Sequence, residues 1–363
     1  MEMQRLLKAT VQFNASDLHV QVGSPPTVRV DGTMVAVNAP PVTAEELRTL
    51  VQQVADESQV QRLEAERSCD FSYFIPDVAR FRVNVFHEKG NLCLVARCIP
   101  LRIRTAAELA LPAVLEEIAE EQRGLVLVTG TTGSGKSTTL AAMIDHLNRT
   151  RRLRIVTIED PIEFVHVSQK SLVAQREIGR DTPSFSESLR RALRQDPDVI
   201  LVGELRDAET MRIALQAADT GHLVFSTIHT TNASFTMQRI VAMFPPDERE
   251  LLQTELATNL AAVVSQRLAS HKQKDKGRIP VLEVMRNTAV VRKAIFEGRI
   301  GSLPQAIANR ENGMQLFDQH LAELYKAGQI SGTEALRLST NPDAVALAMR
   351  GVSTLDTSSG LVH

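Results

Sequence analysis

Two rhythms of apolar and polar positions run along this chain, and the change between them falls near residue 124. In the first part, residues 80–86 alternate strictly: Phe81, Val83 and Val85 share one face, and Arg80, Arg82 and Asn84 share the other. That is the period-two signature of a half-buried strand. Residues 91–98 repeat it, with Leu92, Leu94, Ala96 and Cys98 on one face and Cys93, Val95 and Arg97 on the opposite one. Several arginines are therefore expected to project from one sheet surface. Strands are also expected at 17–22 and 27–36, a short helix before them, and a helical stretch over 43–66. Residues 99–112 carry Pro100 and Pro112 near their ends with Arg102 and Arg104 between, which suits a linker.

Beyond residue 124, short apolar runs at 125–128, 154–158, 199–202 and 223–226 alternate with helical stretches. This pattern predicts a mostly parallel sheet covered by helices. Past Pro280 the pattern reads as helical, including 333–338, and the last dozen residues read as a frayed tail. The expected division is an N-terminal domain over 1–99, a linker over 100–112, an α/β domain over 113–280, a helical region over 281–350 and a flexible tail over 351–363.

A chain of 363 residues with 43% hydrophobic composition can bury a core in each of two domains. Its net charge of −2 provides no field to gather phosphate backbones, so no nucleic-acid partner is expected. Cys69, Cys93 and Cys98 are odd in number and lack metal-ligand spacing, which predicts buried, reduced thiols. The first residues mix Glu2, Arg5 and Lys8 with apolar positions, and no run of eighteen apolar residues occurs. Neither a signal core nor a membrane span is expected, and the predicted location is cytoplasmic.

Gly130-Thr-Thr-Gly-Ser-Gly135-Lys136-Ser137 satisfies G-x4-G-K-[ST], follows an apolar run, and precedes Leu140, Met143, Ile144 and Leu147 at helical spacing. Glycines let backbone N–H groups wrap phosphates, the helix N-terminus adds partial positive charge, a lysine reaches the β and γ oxygens, and the serine hydroxyl can ligate Mg²⁺. ATP or GTP is the expected ligand. The candidate set is Gly130, Thr132, Gly133, Ser134, Gly135, Lys136, Ser137 and Thr138. Glu159, Asp160 and Glu163 follow the run at 154–158, just past the end of a predicted strand, where ligands of parallel sheets sit. Glu204 follows the run at 199–202, with Gly203 where many phosphate-loop enzymes have aspartate. Glu163 is assigned to orienting water and Glu204 to the metal's outer shell, with Ser137, Glu159 and Asp160 as further metal candidates. His222 and His229 bracket the run at 223–226 at a spacing wrong for a zinc pair, and either could report the γ-phosphate.

The phosphate loop, Thr157-Ile-Glu-Asp-Pro-Ile-Glu163, Asp196-Pro-Asp-Val-Ile-Leu-Val-Gly-Glu204 and the stretch from Thr220-Gly-His222 to His229 occur in this order. They resemble the Walker A, Asp box, Walker B and His box of the secretion ATPase superfamily. Ser16-Asp17-Leu-His19, Gly23-Ser-Pro-Pro26 and Gly313-Met-Gln-Leu-Phe-Asp318 extend the similarity, which is greatest to the pilus-retraction branch. The resemblance implies an α/β protein: a RecA-like P-loop ATPase domain preceded by a PAS-like α+β domain, with a C-terminal helical segment. It further implies a homohexamer using ATP and Mg²⁺, in which Arg80, Arg82 and Arg97 approach phosphates bound by a neighbouring motor domain. The implied partner is an inner-membrane pilus platform protein, approached from the cytoplasmic side, with a paralogous retraction ATPase as a further candidate. The Cys-x2-Cys pairs typical of assembly ATPases are lacking, which favours retraction. The branch's Ala-Ile-Arg-Asn-Leu-Ile-Arg-Glu motif appears as Val290-Val-Arg292-Lys-Ala-Ile295-Phe296-Glu297, with phenylalanine for the second arginine. An accessory paralogue or a nucleotide-gated regulatory protein is the alternative expectation.

Overall fold

The computed structural model describes residues 2–30, 32–76, 78–99, 102–273 and 277–352, so nearly all of the expected tail, and Pro100 of the expected linker, lie outside the described residues. The chain divides into two compact units, Met1–Ile103 with Glu163–Val165, and Arg104–Ile162 with His166–His363.

In the first unit, α1 (Met3–Gln12) buries Met3, Leu6, Leu7 and Thr10, the single face that a period of 3.6 provides. Six antiparallel strands follow, with helices inserted after the third: β1 (Asp17–Gln21), β2 (Thr27–Val30), β3 (Thr33–Ala36), β4 (Ser68–Ile75), β5 (Ala79–Glu88) and β6 (Asn91–Ile99), ordered β3-β2-β1-β6-β5-β4. The single strand expected over 27–36 is a hairpin, broken near Gly32, whose φ of 81° is cheap only for glycine. The single helix expected over 43–66 is two, α2 (Ala44–Gln52) and α3 (Glu57–Glu66). Each starts with its own capping box, Thr43 with Glu46 and Asp56 with Gln59, so Asp56 restarts the helix rather than continuing it. Leu18, Val20, Phe81, Val83, Val85, Leu94 and Ala96 form the buried face with residues of the helices.

In the second unit, α4 (Val114–Ala119), β7 (Gly124–Thr129) and α5 (Lys136–Thr150) lead into β8 (Arg154–Glu159) and β9 (Leu172–Glu177). The chain continues through α6 (Phe185–Ala192), β10 (Val199–Val202), α7 (Ala208–Asp219), β11 (Leu223–Ile228), α8 (Ala233–Ala242) and α9 (Arg249–Asn259). The hairpin β12 (Leu260–Ser270) and β13 (Arg278–Arg286) comes next, then α10 (Ala289–Phe296), α11 (Leu303–Ala308), α12 (Phe317–Lys326), α13 (Gly332–Leu338) and α14 (Pro342–Met349). The sheet order is β13-β12-β7-β11-β10-β8-β9, parallel except for the β12/β13 pair. Leu125, Leu127, Ile200 and Val202 pack on one face, while Val126, Val128, Val199 and Leu201 pack on the other. Both faces are therefore covered, which is why these strands read as unbroken apolar runs.

Helical character past Pro280 was expected, yet the strand β13 runs to Arg286. Pro280 lacks an N–H to donate, and β13 tolerates it because it is the edge strand. Helices resume at α10, and α12, α13 and α14 enclose a small separate core of Phe317, Leu321, Leu324, Ala335 and Val345 against Ala269, Ile279 and Val281.

Candidate active site

The chain leaves β7 at Thr129 and enters α5 at Lys136 through a loop whose three glycines all have positive φ, 148° at Gly130, 80° at Gly133 and 92° at Gly135. At two of them a side chain has no room. A Cβ on Gly130 would lie 2.4 Å from Ser134 Oγ and 2.5 Å from the Gln266 carbonyl, and one on Gly135 would lie 2.7 Å from Gln266 Nε2. Lys136 is buried, and its ammonium donates to the carbonyls of Gly130, at 2.9 Å, and Thr131, at 3.1 Å. Ser134 Oγ is buried with no hydrogen-bond partner among the described residues. Thr132 is exposed, and Ser137 and Thr138 are half-buried in the first turn of α5. A glycine cradle at a helix N-terminus, with a lysine over it and a spare hydroxyl, fits a polyphosphate.

The sheet order puts one strand, β11, between β7 and β10, so the acid after β10 lies two strand spacings from the loop, roughly 10 Å across the sheet. That acid is Glu204, and its loop is pinned to β11: Leu205 donates its N–H to the Thr227 carbonyl at 3.1 Å, and the Thr227 hydroxyl donates to the Gly203 carbonyl at 2.7 Å. Ser226 does the same to Val202 at 2.6 Å. The hydroxyls inside an otherwise apolar strand thus hold the carboxylate's loop. Glu204 receives Arg206 Nε at 2.8 Å, and His229 Nε2 lies 3.4 Å from its other oxygen. His229 follows β11 directly, at the phosphate-loop end of the sheet.

His222 is at the other end. It precedes β11, beside Gly124 at the start of β7, roughly 20 Å along the strand from His229. Its Nδ1 lies 2.9 Å from the Ala217 carbonyl and 3.2 Å from Thr220 Oγ1, so it closes the turn after α7. Within this unit it is apart from the phosphate loop, because a six-residue strand separates the two histidines.

Glu159 ends β8 and Asp160 follows it, three spacings or about 14 Å across from β7 and one spacing from β10. One Glu159 oxygen accepts from Thr157 Oγ1 at 2.6 Å and from Gln175 Nε2 at 3.0 Å, which ties β8 to β9, and Asp160 is exposed. Because β8 pairs with β10, these acids follow the strand next to the one that carries Glu204, and the Gly203 N–H donates to the Ile158 carbonyl at 2.8 Å. Among the described residues no group of three His, Cys, Asp or Glu side chains converges on a metal position. Glu163 is exposed and groups with the first unit. The turn before it is held by buried Glu177, which accepts the Ile162 N–H at 3.0 Å. His166, the other histidine nearby, is buried, and burial lowers its pKa to about 4, so it is neutral.

In the first unit, the register aligns Arg29, Asp17, Arg97 and Arg82 in one row across β2, β1, β6 and β5. Arg97 donates to buried Asp17 at 2.9 Å, and Arg29 lies 3.9 Å from it. Burial pushes the Asp17 carboxyl up, but hydrogen bonds from Ser16 and Arg97 overrule this and hold it below its ordinary value. Arg97 and Arg82 are exposed as expected, whereas Arg80 is buried. Sequence reasoning missed Gln266 and Thr227, and it named Asp17 only within a family motif, without a role. Each is an ordinary polar residue in a strand, and only the pairing of strands reveals its neighbours.

A parallel sheet whose first strand opens into a glycine loop and helix, with acids on the strands beyond, defines a P-loop nucleotide-binding protein. The chain matches the type II/IV secretion system protein family over residues 2–337, and it belongs to that family. It is 45% identical over 344 residues to the type IV pilus retractation ATPase PilT of Pseudomonas aeruginosa, covering 94% of this chain and 99% of that one. It is 40% identical to the type IV pilus ATPase PilU of the same organism, covering 93% and 88%. Among solved structures it resembles the pilus retraction motor PilT with bound ADP, with a TM-score of 0.89 and 41% identity over 94% of this chain and 98% of that one. It also resembles the Legionella pneumophila ATPase DotB, with a TM-score of 0.76 and 31% identity over 92% and 94%. No helix among the described residues is long and apolar enough to cross a membrane.

Proposed function

We propose that this chain is an ATP-hydrolysing motor that drives retraction of type IV pili by withdrawing pilin subunits at the inner membrane. The observation that carries the reading is the likeness to a pilus retraction ATPase over nearly the whole of both chains, with the phosphate loop intact. Lys136 would bind the β and γ oxygens, and the loop N–H groups and helix α5 would hold the rest of the polyphosphate. Mg²⁺, which Ser137 and Glu204 fit as direct ligand and outer-shell acid, would neutralise charge on the β and γ phosphates when bound. Glu163 would orient the attacking water and His229, beside Glu204, would register whether the γ-phosphate is present. Arg97, Arg82 and Arg80 of a neighbouring copy would complete the site, which makes a closed homohexamer the working form, acting from the cytoplasmic side on a membrane platform protein.

Expression of the chain in a piliated bacterium that lacks its own retraction ATPase tests this. Restored twitching that Lys136→Ala abolishes is the expected result, and hyperpiliated, non-twitching cells with the wild-type chain would refute it. One observation favours a second reading, an accessory motor that works beside a principal one. Phe296, where the retraction branch has arginine, is exposed at the end of α10. In that case twitching would return only when the principal motor is also present.

A further inference from the structure

Gln266 lies 127 residues beyond Thr139 in the sequence, outside every phosphate-binding motif, yet it backs the phosphate loop at both ends. Its side-chain carbonyl accepts the Thr139 hydroxyl at 2.7 Å, in the first turns of α5. Its amide nitrogen and main-chain oxygen occupy the space that a side chain at Gly135 or Gly130 would need. The preceding residue adds a further hold, since Ser265 Oγ accepts the Thr129 hydroxyl at 2.8 Å. Both Ser265 and Gln266 are buried. A loop that binds phosphate through backbone N–H groups works only while those groups converge, so the side chain packed behind it sets the binding geometry. Alternation along the strand sends the next residue to the opposite face. There Arg267 lies 3.9 Å from the Phe317 ring centroid and donates to the Leu338 carbonyl and to Thr340, at the C-terminal helices.

We propose that Gln266 is a positioning residue for the nucleotide, holding the phosphate loop in its binding shape through Thr139 and Gly135 from the strand that also anchors the C-terminal helices. The proposal rests on the nucleotide-binding reading of the loop but not on turnover. Equilibrium binding of ADP and the KM and kcat for MgATP would be measured for wild type, Thr139→Val, Gln266→Leu, Gln266→Glu and the Thr139→Val/Gln266→Leu double variant. Each of the first two variants should weaken ADP binding and raise KM about five- to tenfold, with kcat within about twofold of wild type. The double variant should be no worse than the weaker single, because both remove one shared bond. Gln266→Glu should bind ADP more weakly than Gln266→Leu, since a carboxylate behind the phosphates repels them, a charge effect that simple packing does not produce. Unchanged ADP affinity in Thr139→Val and Gln266→Leu, or single effects that multiply in the double variant, would overturn the proposal. If Gln266→Leu does not fold, Thr139→Val, nearly the same in volume, decides by the same fivefold or unchanged affinity. Because ADP binding needs no hydrolysis, a wild type that binds ADP without turnover would fail as a motor while still testing Gln266.

Discussion

Gly135 turns a sequence motif into a steric demand. Its φ of 92° is strained for any side chain, and a methyl there would press on Gln266 Nε2 at 2.7 Å. Gly135→Ala should therefore lower nucleotide affinity by about two orders of magnitude with the fold retained, measurable by ADP titration. Lys136 fails differently. Lys136→Ala removes the charge together with its hydrogen bonds to the Gly130 and Thr131 carbonyls, so ATP hydrolysis should fall at least about a hundredfold while circular dichroism stays unchanged. At this scale the sequence was most legible where the chemistry is local: the phosphate loop could be read because its ligating groups are neighbours in the chain. His222 and His229 could not be ranked from their surroundings in the sequence, since only the direction of β11 tells which one reaches the phosphate-loop end.

Among the elements, the edge hairpin carries the largest departure from expectation. β12 is missing from the expected strands, and β13 runs through Pro280, past which helix was expected. β12 pairs with β7 on one side and β13 on the other, and such pairing is tertiary context that a local pattern does not carry. The same hairpin buries Glu283, opposite Ser265, where it accepts the N–H of Ala233 at the start of α8 at 2.9 Å. Burial pushes its carboxyl up to about 7, against the opposing pull of the Ala233 N–H, of Arg267 and of the Phe317 backbone, while nearby Asp318 adds to the rise. A carboxyl raised in the folded state binds its proton more tightly than the unfolded chain does. Its contribution to stability is therefore complete below pH 4.5, the ordinary value, and is lost as pH rises through about 7. Glu283→Gln, which keeps an acceptor for Ala233 and cannot ionise, should flatten the fall in Tm between pH 5 and 8. An equal fall in both proteins would show that Glu283 stays ionised. The covered parallel strands, by contrast, were readable as apolar runs because nothing in them has to alternate.

For the whole molecule, the proposed motor would divide its site between chains, with the phosphate loop in one copy and Arg80, Arg82 and Arg97 in its neighbour. This division makes a mixing experiment decisive. Lys136→Ala and Arg97→Ala should each be inactive alone, and an equal mixture of the two, reassembled, should recover about a quarter of wild-type turnover, the share of interfaces that pair an intact loop with an intact arginine. A site completed within one chain would leave the mixture as inactive as its parts. The change of rhythm near residue 124 separates the antiparallel sheet before it from the mostly parallel one after it, but no periodicity encodes which copy faces which. The most direct test of the account is steady-state MgATP hydrolysis against protein concentration, for the wild type and for Glu163→Gln. Specific activity that climbs with concentration as rings assemble, and collapses in Glu163→Gln at every concentration, is the predicted result. Turnover that is independent of concentration and survives Glu163→Gln would contradict it.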